Sequence, residues 1–85
     1  MKEFTYTITD ELGIHARPAG MLAKTAKALD SEITIVCGEK SAAATKLMAL
    51  MGMGIKCGDT ITVTINGGDE TASEKAMQEF FKANL

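Results

Sequence analysis

No apolar run in this sequence approaches the roughly 18 residues that a membrane-spanning helix needs, so direct membrane insertion is not expected. The opening stretch, MKEFTYTIT, goes straight into an alternating pattern. It lacks the basic, apolar and small-residue layout of a secretory signal, which predicts a cytoplasmic protein. Cysteine is scarce: Cys37 and Cys57 form no C-x-x-C pair and have a single histidine to help them, so neither a metal nor a cofactor is expected, and two buried, reduced thiols are. An excess of positive charge is also missing. The formal net charge is −2 and the pI about 5.3, which argues against broad electrostatic binding of nucleic acid. Without stacking aromatics or clustered Cys and His ligands, an RNA- or metal-binding module of ferredoxin-like build has no support. Linkers, repeats and low-complexity stretches are absent as well. The 85 residues suffice for one compact domain and are too few for two, so residues 1–85 are read as a single domain.

What is present alternates between two periods. Phe4, Tyr6 and Ile8 alternate with Glu3, Thr5, Thr7 and Thr9, the pattern of a strand with one buried face. From Ala16 to about Leu29, Ala19, Leu22, Ala23 and Ala26 recur at helical spacing, and Asp30 and Ser31 end the run. EITIVC, residues 32–37, places Ile33, Ile35 and Cys37 on one face of a second strand. Gly38 and Glu39 suit a type II′ turn into a short third strand at 40–43. TKLMALMGM, from Thr45 to Met53, reads as a short helix closed by glycines, and 56–59 as a turn. TITVTIN at 60–66 turns Ile61, Val63 and Ile65 inward. Asp69 is placed to cap a last helix whose inner stripe is Ala72, Ala76, Met77, Phe80 and Phe81. The order β-α-β-β-α-β-α predicts an α+β fold, a four-stranded sheet with amphipathic helices collected on one face. Pattern alone does not choose its strand order.

The only histidine, proline and arginine sit together in GIHARPAG, residues 13–20. A lone histidine is by default an exposed or structurally satisfied side chain, and Arg17 and Pro18 are ordinary residues for a helix start. The context changes that reading. His15 lies where an extended segment ends and a helix begins, beside the first, unpaired N–H groups. Pro18 fits a first turn, since it contributes no N–H where none needs an internal partner. The backbone donors of Ala16 and Arg17 remain free, and the planar guanidinium of Arg17 matches phosphate geometry. Imidazole, backbone donors, helix dipole and guanidinium describe a site for a phosphoryl group carried by the histidine itself. The positive end of the helix stabilises the dianionic phosphoryl group that transfer places on the histidine.

In GIHARPA, in SEITI after the first helix, in the GEKSA hairpin and in the M-G-x-G-I segment, the chain resembles HPr, the histidine-containing phosphocarrier family of the bacterial phosphoenolpyruvate-dependent sugar phosphotransferase system. The resemblance covers essentially the whole length. It implies an open-faced β-sandwich, an antiparallel sheet in the order 1-4-2-3 with three helices on one face. It also implies that Nδ1 of His15 accepts phosphate from enzyme I, with Arg17 assisting, and hands it to the A domains of sugar-specific enzymes II. Such a protein is a stoichiometric carrier and not an enzyme. A monomer is expected.

A carrier with several partners needs an adaptable surface around its histidine. Helical spacing puts Arg17, Gly20, Lys24 and Lys27 on one face, a basic stripe in a net-acidic chain, although a solvated helix face is the ordinary explanation of such lysines. Glycine inside a helix costs about 1 kcal/mol relative to alanine, and at Gly20 it permits close approach of a partner. Leu47, Met48, Leu50, Met51 and Met53 are more apolar surface than two turns can bury, so some are expected to be exposed. By resemblance Leu47, Met48 and Met51 face partners while Leu50 and Met53 pack inward. One position departs from the family: the serine that opens the second helix in many HPr proteins, and that a regulatory kinase phosphorylates, is Lys46 here, and neither Thr45 nor Ser41 occupies its place. Serine-linked control is therefore not expected. The alternative from another class is a regulatory protein of HPr fold that binds partners without carrying phosphate, and the presence of His15 argues against it.

Overall fold

The computed structural model describes residues 1–85 as β1 (Lys2–Thr7), α1 (Ala16–Lys27), β2 (Glu32–Cys37), β3 (Lys40–Ala43), α2 (Leu47–Gly52), β4 (Thr60–Asn66) and α3 (Glu70–Asn84). All sheet pairings are antiparallel and the strand order is β1-β4-β2-β3. The register explains why the alternation was readable. Phe4 stands opposite Val63, Tyr6 opposite Ile61, Ile33 opposite Ile65 and Ile35 opposite Val63, which gathers the apolar residues on the helix-covered face. The opposite face is a ladder of threonines, Thr5 beside Thr62, Thr7 beside Thr60 and Thr34 beside Thr64, with the Thr7 and Thr60 hydroxyls 2.9 Å apart. Burying a large aliphatic side chain contributes roughly 1.5–3 kcal/mol, so the fully buried Ile35, Ile61, Val63 and Ile65 commit the sheet to one face.

α3 is seated by Phe81, whose ring meets Phe4, Tyr6 and Phe80 at centroid distances of 6.2, 5.4 and 5.8 Å. Asp69 caps this helix as expected, its carboxylate accepting from Ala72 N at 3.1 Å. The inner stripe differs at its start. Ala72 is exposed and Ser73 is buried in its place, because Ser73 shares a 2.7 Å hydroxyl contact with Ser31 under the turn at Gly67. A buried hydroxyl with a partner costs little, so a polar residue begins an otherwise apolar stripe.

The hairpin between β2 and β3 closes from Cys37 to Lys40 across Gly38, the one turn residue with positive φ (61°), as a type II′ turn requires at its first position. α1 stops at Lys27 and not near Leu29. Its last bonds, Ala28 N to Thr25 O and Leu29 N to Ala26 O, have tightened to the i−3 pattern of a helix end. α2 begins at Leu47 and not at Thr45, since Ala44 and Thr45 form a turn in which Lys46 N donates to Ala43 O and Lys46 is extended. Of the two thiols, Cys37 is half-buried against the core, but Cys57 is exposed in the turn before β4, so the expectation of two buried thiols fails there. A tight turn places its tip residues in water regardless of their polarity.

Candidate functional site

His15 is the N-cap of α1, extended at φ −102° and ψ −175°, and its carbonyl accepts the first helical bond from Ala19 N at 2.9 Å. No side chain caps this helix and no acidic residue lies in its first turn, so the N–H groups of Ala16 and Arg17 point out of the helix without a side-chain acceptor. Pro18, the next residue of the turn, is buried. The imidazole is about one third exposed, 36%, enough for a partner to reach it while its backbone is fixed. A pocket of about 240 Å³ lies over the ring, lined by Asp10, His15, Arg17, Pro18, Met21, Ala83 and Asn84.

The loop leading into His15 is held at several points. Thr9 N and Asp10 N both donate to the Leu85 carbonyl, at 2.6 and 2.9 Å, and Thr9 Oγ1 adds a third bond at 2.9 Å. Gly13 N donates to Asp10 O and Ile14 N to Ile55 O. Gly13 has φ +66°, and a Cβ there would fall 2.3 Å from Ile55 O, so both conformation and space demand glycine at this position. The end of α3 thus forms one wall of the histidine pocket, a contribution from Ala83 and Asn84 that the sequence did not signal.

A larger hollow of about 750 Å³ runs between α1 and α2. Gly20, Lys24 and Lys27 line it from α1, and Lys46, Leu47 and Met48 from the start of α2. The predicted basic stripe is therefore divided: Arg17 belongs with His15, whereas Gly20, Lys24 and Lys27 border the groove. Met51 does not line the groove but is exposed at 40%, with Met48 at 77% and Leu47 at 39%, while Leu50 and Met53 are buried. A Cβ on Gly20 would meet nothing within 4 Å, so no packing inside the chain calls for glycine there.

The family model described as the phosphotransferase-system HPr component phosphorylation site matches residues 2–83. The chain belongs to the HPr family. Among relatives, the phosphocarrier protein HPr of Mycoplasma capricolum is 40% identical over 79 residues, covering 93% of this chain and 89% of its own. A solved mycoplasma histidine-containing phosphocarrier protein superimposes with a TM-score of 0.89 at 39% identity, over 93% of this chain and 90% of that one. HPr-C-His from Thermoanaerobacter tengcongensis gives a TM-score of 0.91 at 31% identity, over 98% and 93%. As a member of the HPr family the chain is a phosphocarrier of the phosphotransferase system, and its fold is the open-faced arrangement of its HPr neighbours. No helix in it is long and apolar enough to cross a membrane.

Proposed function

We propose that this chain accepts a phosphoryl group from enzyme I on Nδ1 of His15 and passes it to the A domains of sugar-specific enzymes II, in the cytoplasm, as a single-domain monomer. The observation that carries the proposal is the uncapped start of α1, where a partly exposed imidazole stands beside two free backbone donors and shares a pocket with Arg17. A carboxylate or hydroxyl cap, the usual occupant of that position, would take up one of those donors internally, Arg17 N, since Pro18 has no N–H to offer. A histidine leaves them for the phosphoryl oxygens, to which the helix dipole and guanidinium add favourable charge.

The groove between α1 and α2 supports the docking half of the proposal. Its lysines at 24, 27 and 46 attract an acidic partner, and Leu47, Met48 and Met51 offer flexible apolar contacts that accommodate more than one surface. Gly20 keeps that surface low for a partner's approach. The test is incubation with phosphoenolpyruvate and enzyme I, followed by mass measurement. One phosphoryl group, labile in acid and stable in alkali, is expected on the parent chain and none on His15→Ala. Labelling that persists in His15→Ala defeats the carrier reading.

A further inference from the structure

The Asp10 carboxylate faces the other side of the His15 ring. Its Oδ1 lies 3.9 Å from Nε2 and also accepts from Leu12 N at 2.9 Å, so the oxygen aimed at the ring is itself held by backbone. The rest of the residue is fixed too, its N–H bound to the Leu85 carbonyl and its own carbonyl to Gly13 N. Asp10 and Arg17 are the charged side chains lining this pocket. At 3.9 Å the contact is longer than a hydrogen bond, and such contacts shorten when a site engages its reaction partner.

We propose that Asp10 is a positioning residue for phosphoryl transfer, holding the imidazole with Nε2 protonated and Nδ1 open toward the start of α1. The proposal rests on the carrier reading above and adds a residue to it. An imidazole whose Nε2–H points at a carboxylate keeps its lone pair on Nδ1. In acceptance, that lone pair forms the N–P bond while the bond from phosphorus to the donor breaks, its electron pair leaving with the donor. The ring retains its Nε2 proton and takes on positive charge, which the Asp10 carboxylate offsets. Delivery to the next acceptor reverses the steps: the N–P bond breaks, its pair returns to Nδ1, and the charge disappears.

Two variants separate charge from scaffold. Asp10→Asn keeps a carbonyl oxygen for Leu12 N–H and removes the charge, and Asp10→Ala removes both. In ¹⁵N spectra of the full chain labelled at His15, the neutral ring is expected mainly as the Nε2–H tautomer in the parent and less so in both variants. Acceptance from phosphorylated enzyme I is expected to slow about fivefold in each, the size of effect that a partly exposed charge pair supplies. Ring shifts that stay unchanged in both variants overturn the proposal, whatever happens to the rate, since a purely structural role leaves the tautomer alone. The spectra need no enzyme I. A parent chain that takes no phosphate would defeat the carrier reading, while the tautomer measurement still decides the role of Asp10.

Discussion

The starts of α1 and α3 solve the same problem in opposite ways. At α3, Asp69 caps Ala72 N, Glu70 Oε2 accepts from Gly67 N at 2.7 Å, and Asp69 N donates to Asp30 Oδ1, so the segment is closed by its own side chains and by one from the turn after α1. At α1 the cap position is His15 and no side chain closes the helix. α2 repeats the open pattern with Lys46 as its N-cap, again without a side-chain bond and without an acidic first turn. The open starts themselves lie at the histidine pocket and the basic groove, whereas the closed start of α3 is at the opposite end of that helix from Ala83 and Asn84, which wall the pocket. A polar group left without an internal partner sacrifices local stability, and here that sacrifice coincides with the surface proposed to meet ligands and partners.

The difference can be broken most sharply at Lys46. Lys46→Asp installs the missing cap on α2, which is expected to raise stability by about 1 kcal/mol in urea unfolding. The same change removes a cation from the groove and adds an anion, so transfer at low salt is expected to slow about tenfold. A stability gain with unchanged transfer would show that the open start has nothing to do with docking. At the closed helix the reverse holds: Asp69→Ala is expected to cost about 1 kcal/mol, within the range for cap removal, and to leave phosphoryl acceptance as it was. The smallest effect concerns Glu70. The Gly67 N–H, and then the amino terminus 3.0 Å from Oε1, hold its carboxyl below the ordinary value of 4.5. A carboxyl lowered on folding contributes stability above that ordinary value and loses it as pH falls through the folded one. The thermal midpoints of the parent and Glu70→Gln are therefore expected to differ at neutral pH and to converge in acid.

The strands were legible because each has one wet and one dry face: TITVTIN and EITIVC are found as strands at the expected residues. The order 1-4-2-3 was not in the pattern and came from the resemblance, since strands of the same alternation can pair in several ways. His15, Arg17 and the exposed methionines could be located from local context, namely a helix start and an excess of apolar residues. Ala83 and Asn84 could not, because their relation to His15 is tertiary, nor could Asp10, whose approach depends on how its loop is held, whereas Met21 follows from its spacing of four from Arg17 on α1. Asp10 is the instructive miss: in sequence it is one acidic residue among eleven, and only the clamps from Leu85 and Leu12 turn its carboxylate toward the ring. Lys46 was noticed as a departure from the family, but its place on the groove wall beside Leu47 and Met48 required the packing of α1 against α2.

The clamp between Thr9 and Leu85 joins residues 76 positions apart. Contacts of such separation close late in folding, after the entropy of a long loop has been lost. The wall formed by Ala83 and Asn84 cannot stand until α3 has docked along its length, so a nascent chain emerging in order would carry His15 well before it carried the finished pocket. Fraying of the final turn would likewise loosen Thr9 and Asp10 while the sheet stayed paired. On the proposed function, readiness to receive phosphate then depends on α3 being docked to its last turn.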